Sequence, residues 1–401
     1  MTEAPALPLY MQREQFDPVD ELVQTRDNDG VTRVPTLFGG PPAYLVTRYE
    51  DVREVLSDAV RFSNARTRPF QQPDGPHFTD EELEQMRAGQ MLAFDPPDHT
   101  RLRRMLTPEF TVRRMRRLEP RIVEIVDAAL DDIERAGKPA DLVSTFAMPV
   151  PSLVICELLG VPYADRAEFQ ERTGRLLDVS VPMRERMAVV RENRAYMARL
   201  VDGAMAAPGE DMIGMLIREH GDDLSHHELI GIASLLLVAG HETTSNMLGL
   251  GTLALLRHPD QLALVRDDPA MVGPAVEELL RWLSIVHSGV PRTTTTEVEI
   301  AGHTIPAGEL VVLALPAANR DPAFITDPGR LDINRGAPGH VAFGHGVHHC
   351  LGAPLARMEM RIAFPALLRR FPNLALAAPD DEVDFHTYNA IYGLRSLPIT
   401  W

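Results

Sequence analysis

The residue with the clearest potential for chemistry is Cys350, one of only two cysteines in the chain. It lies in a stretch with three glycines and three histidines, residues 343–352, and a helical pattern follows at once over 353–370. A thiolate is a strong metal ligand, and a helix N-terminus helps it to stay deprotonated through unpaired N–H groups and the positive end of the helix dipole. Gly352 leaves room for a flat ligand against that helix. Iron in a haem group, held by a cysteine thiolate, is the chemistry that this arrangement suits.

Two other interpretations of this stretch stay open at this point. Free cysteine is often only a small core residue, so Cys350 could be a buried thiol in a glycine-rich loop. A zinc site is the third option, with His345, His348, His349 and Cys350 as ligands. It is the weakest of the three, because four neighbouring residues on a tight loop do not easily surround a tetrahedral ion.

A second candidate for chemistry lies at the centre of a long apolar helical pattern over 229–258. Gly240, Glu242 and Thr243 interrupt it. Burying a carboxyl there has a free-energy cost that structure alone does not explain. Gly240 opens a groove for a ligand, with a carboxylate and a hydroxyl available for proton delivery. A local kink, with threonines bonding back to main-chain carbonyls, is the alternative. A membrane span is excluded, because the middle of the pattern is its most polar part.

Several cationic positions could hold an anion or dock a partner. Residues 101–121 carry eight arginines against two glutamates, in a chain whose net charge is −17. A solvated helix face is the ordinary explanation of such a run. However, His99 and Arg103, four residues apart on one helical face, could clamp a buried anion, and Arg292 is a second candidate. The outward arginines could dock an acidic protein.

The remaining patterns predict a mainly helical chain with small sheets, forming one domain over residues 1–401. A β-hairpin is expected over 31–47, and a capping box of Thr47 and Glu50 would open the next helix. Residues 63–90 are irregular, either a substrate-facing loop or a surface excursion. Short strands are expected within 297–315 and 383–401. Helices are predicted over 49–58, 119–136, 150–160, 165–177, 183–206, 229–258, 274–284 and 353–370.

Bulk properties limit the partners and the location. The acidic net charge argues against nonspecific binding to nucleic acid or to anionic membranes. Two cysteines almost 200 residues apart do not form a disulfide framework. Met1–Gln15 has no apolar segment of the signal-peptide kind. We therefore expect a cytoplasmic protein, and separately we expect a monomer.

Taken together, these elements resemble the cytochrome P-450 haem-thiolate monooxygenases, specifically the bacterial, actinobacterial type. The cysteine stretch resembles the haem-binding loop of that family, and Glu278 and Arg281 resemble its Glu-x-x-Arg pair. Residues 239–243 resemble its oxygen-activating helix. The motifs follow the family's order from His99 to the end of the chain. The resemblance implies a single-domain fold with haem b between a long central helix and the cysteine loop with its helix.

The resemblance also implies roles for individual residues. Cys350 would be the axial ligand of the haem iron. Glu242 and Thr243 would form the acid–alcohol pair that protonates bound dioxygen. A network supporting the cysteine loop would consist of Glu278, Arg281 and Arg330, although Leu331 stands where an aromatic residue often follows. The other haem-binding residues would be His99, Arg103, Arg292, Phe343, His348 and Gly352.

The implied reaction is hydroxylation of a bulky, mostly apolar molecule such as a polyketide, macrolide, terpenoid or sterol-like compound. Secondary-metabolite tailoring is the favoured role, and detoxification is equally compatible with the residues. A peroxide-driven peroxygenase and a haem-thiolate sensor are the alternatives. Electrons from NADPH or NADH would arrive through a reductase and a ferredoxin, docked at Arg101, Arg104, Arg113, Arg114 and Arg117. The substrate pocket would include Phe70, Met86, Leu236, Ala239, Val290 and Ile391.

Overall fold

The architecture is helical around one central helix. A computed structural model describes residues 6–65 and 79–401. Within those ranges the helices are α1 (Asp20–Asp27), α2 (Tyr49–Ser57), α3 (Asp80–Arg87), α4 (Asp98–Leu106), α5 (Val112–Ala136), α6 (Pro149–Leu159), α7 (Arg166–Leu177), α8 (Met183–Ala206), α9 (Met212–His220), α10 (His226–Arg257), α11 (Pro259–Asp267), α12 (Val272–Leu283), α13 (Leu315–Ala318) and α14 (Ala353–Arg370).

Short strands form small sheets beside the helices. The strands are β1 (Arg13–Glu14), β2 (Asp17–Pro18), β3 (Val31–Val34), β4 (Ala43–Val46), β5 (Phe62–Ser63), β6 (Ala140–Asp141), β7 (Val290–Thr294), β8 (Val298–Ile300), β9 (His303–Ile305), β10 (Leu310–Leu313), β11 (Ala375–Leu376) and β12 (Pro398–Thr400). The largest sheet has the order β3-β4-β10-β7-β5, in which only the β4–β10 pair is parallel. A three-stranded sheet has the order β11-β12-β6, and β1-β2 and β8-β9 are hairpin pairs.

Helix α10 runs through the middle of the core. It begins at a complete capping box, in which Ser225 and Glu228 satisfy each other's main-chain N–H groups. Its 32 residues span about 48 Å, since an α-helix rises ~1.5 Å per residue. It packs against α6, α8, α12 and α14. Because neighbours surround it, the helix is apolar around nearly its whole circumference.

The fold follows most of the predicted elements and corrects others. The hairpin is confirmed, since β3 and β4 pair with Val31 opposite Val46. The predicted capping box at the start of α2 is wrong. Thr47 is fully buried and instead donates its hydroxyl hydrogen to the carbonyl of Gly30 at 2.8 Å, while Arg48 is the N-cap residue. Within the region predicted as irregular, Thr79 caps α3. None of the described helices is long and apolar enough to cross a membrane.

Candidate active site

A large cavity lies between the middle of α10 and the cysteine loop. Its volume is about 1130 Å³, which exceeds the roughly 300–1,000 Å³ typical of a pocket for one drug-sized ligand. One wall comes from α10 and the opposite wall from residues 342–352 and the start of α14. The cavity can therefore hold a large flat group together with a further molecule. The residues from these two walls include Leu236, Ala239, Gly240, Thr243, Met247, Phe343, Cys350 and Gly352.

Cys350 is accessible from this cavity at the N-terminus of α14. Its own N–H donates to the carbonyl of Phe343 at 2.8 Å, which closes the loop beneath the sulfur. Burial in the surrounding protein raises the pKa of the thiol, while amide hydrogen bonds from Gly352 and Ala353 and the charge of Arg103 lower it. Gly346 is required for the close packing of this loop, because a Cβ there would lie 2.5 Å from the carbonyl oxygen of Leu56.

Arg103, Arg292 and His348 line the same cavity, and a fourth side chain, His99, packs against His348. Both ring nitrogens of His99 and of His348 are buried and have no hydrogen-bond partner among residues 6–65 and 79–401. Their rings lie 4.1 Å apart, centroid to centroid. Arg103 and Arg292 line the cavity beside them. Buried polar groups without partners are costly, and two arginines lie beside them, so this cluster suits an anionic ligand that accepts hydrogen bonds.

Electrostatics of the cluster support the same conclusion. Burial, with the charges of His99 and Arg292, lowers the pKa of His348 to about 3. Burial also lowers the pKa of Arg292 to about 10. The nearby carboxylate of Asp95 is already engaged by Ser63 and by the N–H of Asn64. A ligand with two carboxylates would satisfy these groups. Haem has two propionates, which suit this cluster, and an iron ion, which suits the Cys350 thiol. The residues present therefore fit a haem group.

Thr243 and Glu242 occupy different environments. Thr243 lines the cavity, and its hydroxyl donates to the carbonyl of Ala239 at 3.0 Å. Glu242 is not among the cavity-lining residues and is only 4% exposed. Successive residues of an α-helix point about 100° apart, which allows Thr243 to line the cavity while Glu242 faces into the surrounding protein. The bond from Thr243 to the carbonyl of Ala239 does not break the helix, because α10 is continuous from His226 to Arg257.

The Glu242 carboxyl is held by partners that sequence reasoning missed. Oε1 accepts from Nδ2 of Asn389 at 3.0 Å and from Nδ2 of Asn246 at 3.4 Å. Burial raises the pKa of Glu242, and the two amides act in the opposite direction. The preceding residue, His241, is fully buried, and burial lowers its pKa to about 4. No sequence signal pointed to Asn389, which lies near the C-terminus.

Glu278 and Arg281 form a fully buried pair, with distances of 2.7 and 2.8 Å between guanidinium nitrogens and carboxylate oxygens. Arg281 also donates to the carbonyls of Asn319 at 3.0 Å and Pro328 at 2.9 Å. These bonds anchor the segment before the cysteine loop to α12.

The third member of this network differs from the prediction. The Arg330 side chain is exposed, and only its main-chain carbonyl takes part, accepting from Arg281 at 3.2 Å. The guanidinium that reaches Glu278 belongs to Arg335, with its Nε 3.3 Å from the carboxylate. The segment has no periodicity, so the sequence did not reveal which of two arginines points inward.

A neighbouring cluster ties α12 to α14. Glu277 binds Arg357 through two hydrogen bonds of 2.7 and 2.8 Å and accepts from His340 at 3.1 Å. Burial opposes these bonds, yet they lower the pKa of Glu277 to about 2. The Arg357 guanidinium lies 4.6 Å from the ring centroid of Phe343, beside the cysteine loop. Glu359, another carboxyl that sequence reasoning missed, is 1% exposed and lines the cavity.

The predicted substrate residues divide into three groups. Met86, Leu236, Ala239 and Val290 line the cavity. Ile391 does not line the cavity, and instead forms an isolated β-bridge with Val286, which does. Phe70 lies outside the described residues. Five further methionines line the cavity, namely Met91, Met183, Met187, Met247 and Met360. Methionine fills irregular space and adapts to different ligands.

The predicted docking arginines divide as well. Arg101 is paired with Glu228, and Arg114 lies 2.9 Å from Glu109. Arg104, Arg113 and Arg117 are exposed and have no salt bridge within the described part of the chain. We call these three the exposed arginine trio.

Comparison with known proteins identifies the family. The family model named Cytochrome P450 matches residues 209–382. The chain is 55% identical over 395 residues to "Cytochrome P450 FAS1" from Rhodococcoides fascians, covering 98% of both chains. It is 44% identical to "Pentalenic acid synthase" from Streptomyces avermitilis, over 96% of this chain and 95% of the relative. Among solved structures, CYP105P1 in complex with filipin I has a TM-score of 0.91 at 42% identity, covering 100% of this chain and 99% of that one. The chain therefore belongs to the cytochrome P450 family of haem-iron monooxygenases.

Proposed function

We propose that this protein hydroxylates a bulky, mostly apolar small molecule in secondary-metabolite tailoring, with electrons from a ferredoxin. The single observation that carries this proposal is the large cavity, bounded by Cys350 on one wall and Thr243 on the other. Its volume leaves room for a substrate beside haem, and most of its lining is apolar.

The cofactor would be held at its iron and at its two propionates by the residues described above. Cys350 would bind the iron, and Phe343 would pack near the sulfur. His99, Arg103, Arg292 and His348 would give the two propionates charge-assisted or hydrogen-bonded partners. Haem bound in this way supplies dioxygen binding and oxygen-atom transfer, while the protein selects the carbon that is presented.

Proton supply is the task that remains for side chains of α10. The Thr243 hydroxyl uses its hydrogen for Ala239, so its oxygen lone pairs are available to a hydrogen bond from a molecule in the cavity. Glu242, whose pKa is raised by burial, is a suitable proton donor one residue away. This division of work makes Thr243 a positioning group at the cavity and Glu242 its acid.

The names of relatives support a bulky substrate. They include "Pentalenic acid synthase", "Vitamin D3 dihydroxylase" and a structure determined with filipin I. Another solved relative, StaH, is described as part of glycopeptide antibiotic biosynthesis. These compounds differ widely, and the methionine-rich lining is suited to a large ligand without fixing which one binds.

The exposed arginine trio is the proposed docking site for an acidic ferredoxin, which would be reduced by NADPH or NADH through a reductase. Arg103 reaches the cavity and Arg104, the next residue, points outward, so a docked partner would lie close to the cofactor. Replacing the trio by glutamine should slow reduction by ferredoxin, most strongly at low salt. Arg101 and Arg114, replaced together, are the comparison variant: each loses the same charge as a member of the trio, so a smaller effect per charge is expected if the partner contacts the trio. Equal rates in both variants and the wild type would contradict this site.

A spectral binding screen followed by turnover assays tests the function. Ligands that displace water from the iron should change its spin state, and the best ligand should be hydroxylated with dioxygen, NADPH and a ferredoxin system. Turnover with peroxide alone would favour the peroxygenase, which has no need of an acid–alcohol pair. Ligand binding without turnover under either condition would favour a sensor. Residence in the cytoplasm and a monomeric state stay predictions.

A further inference from the structure

The surroundings of Glu242 distinguish its two carboxyl oxygens. Both amide contacts, from Asn389 and Asn246, fall on Oε1. Oε2 is buried without a hydrogen-bond partner among residues 6–65 and 79–401, and it lies 3.9 Å from Nε2 of His241. A protonated carboxyl accepts through one oxygen and donates through the other. Because the amides occupy Oε1, the proton of Glu242 belongs on Oε2.

The stronger of the two amides is rigidly oriented. Asn389 is fully buried, and its Oδ1 accepts from the N–H of Ile391 at 3.0 Å. Its main-chain carbonyl lies 2.6 Å from Nε2 of His287, and its Nδ2 is 3.4 Å from Nδ1 of His386. Turning the amide over would lose the bond to Ile391 and place Oδ1 against Oε1 of Glu242. Asn389 therefore presents a donor to the carboxyl.

The segment that carries Asn389 is anchored away from α10. Asn389 forms an isolated β-bridge with Asp178, just after α7. On either side, the N–H of Val179 donates to the carbonyl of Tyr388 and the N–H of Ala390 to the carbonyl of Leu177, both at 2.8 Å. The position of the donor is thus set by elements other than the helix that carries Glu242.

Asn246 has a different main task. Its Nδ2 donates to the main-chain carbonyl of Glu242 at 3.0 Å, one turn earlier on α10, and lies 3.4 Å from Oε1. Such a bond to the preceding turn is local to the helix. Losing it should leave the carboxyl held by Asn389.

We propose that Asn389 is a positioning residue for proton delivery: by occupying Oε1 it assigns the proton to Oε2 and holds the Glu242 side chain in one orientation. This inference deepens the proposed function and rests on it, since the orientation matters to turnover only if Glu242 supplies protons. The titratable groups around the carboxyl are His241 on α10 and, beyond Asn389, His287 and His386. Burial lowers the pKa of each, to about 4 for His241 and about 3 for His287.

Infrared difference spectroscopy of the resting, haem-loaded enzyme tests the contact directly. The Glu242 carbonyl band is assigned by its loss in Glu242→Gln. Asn389→Leu, which has a similar volume but no donor, should move this band to higher frequency. It should also raise the pKa of Glu242 by about 1, because a charge-stabilising hydrogen bond is removed. The matched control, Asn246→Leu, should move both much less.

Turnover gives the second readout. Product formed per NADPH should fall roughly tenfold in Asn389→Leu, less than the roughly 10²–10⁴-fold that a positioned acid contributes, because the acid is misplaced and not removed. The double variant with Glu242→Gln should fall no further than Glu242→Gln alone, because the two residues act as one unit. Asn389→Asp keeps the shape and places an acceptor against Oε1. It should raise the pKa of Glu242 further and serves if the leucine variant does not fold.

Three results would overturn the inference. An unmoved carbonyl band in both Asn389 variants would reduce the residue to a structural role, whatever happens to stability. An equal band shift in Asn246→Leu and Asn389→Leu would show that Asn389 has no greater part than Asn246 in positioning the carboxyl. Additive losses of product per NADPH in the double variant would show that Asn389 and Glu242 act independently. By contrast, unchanged product per NADPH in Glu242→Gln would refute the proton role of Glu242 in the proposed function. The infrared result does not depend on that role, so the two failures can be told apart.

Discussion

Glu277 and Glu278, adjacent on α12, allow the effect of burial on the stability contributed by an ion pair to be measured, because the same substitution can be made in each. Glu278 is fully buried against Arg281, whereas the side chain of Glu277 is 20% exposed and its partner Arg357 26% exposed. Each makes two hydrogen bonds to an arginine at nearly equal distances. Replacing either by glutamine removes one charge and keeps the shape.

The magnitudes follow from what each substitution leaves behind. Glu278→Gln leaves the Arg281 guanidinium buried without a countercharge, and breaking a buried pair in this way costs about 3–5 kcal/mol. Arg335 also loses its carboxylate. Glu277→Gln leaves Arg357 partly solvated but takes the carboxylate from buried His340, so the loss should be smaller, about 1–2 kcal/mol. Against a total stability of about 5–15 kcal/mol, the first change is large and the second moderate.

Urea unfolding of the two variants and the wild type, at matched haem loading, is the assay. The midpoint should fall much further for Glu278→Gln, with the slope unchanged. Haem retention should follow the same order, because Arg281 anchors the segment that leads into the cysteine loop. Equal midpoints for the two variants, or a loss under about 1 kcal/mol for Glu278→Gln, would refute the reasoning from burial.

Three further predictions concern the cavity and the central helix. Thr243→Ala should keep oxygen consumption but release peroxide, with product per NADPH falling at least roughly tenfold; unchanged product would remove Thr243 from this role. His99→Ala and Arg292→Ala should each lower the haem content of purified protein, and fully loaded variants would contradict the propionate assignment. Burial lowers the pKa of His241 to about 4, so its contribution to stability is complete above about pH 6.5 and is lost as the pH falls towards 4. His241→Leu should therefore flatten the dependence of the melting temperature on pH over that interval.

The sequence by itself determined the parts of the site that depend on local spacing. Glu278 and Arg281 lie three residues apart on one helix, and a helix places such residues side by side whatever surrounds it. The cysteine loop is also local, because its glycines and the helix after it are consecutive in the chain. Four of the six substrate residues that the family resemblance implied line the cavity, and two of them, Leu236 and Ala239, lie in the long helical pattern that the sequence shows.

Tertiary structure alone decided which distant side chains meet. Asn389 is 147 residues from Glu242, and nothing in the spacing of either segment relates them. Arg335 rather than Arg330 faces Glu278, because an aperiodic segment gives no rule for which side chain points inward. Thr47 bonds to Gly30, 17 residues earlier in the chain, instead of capping α2, and the local capping pattern gives no sign of that contact. Helical periodicity fixes directions around one axis, and only packing fixes how the axes and loops lie against each other.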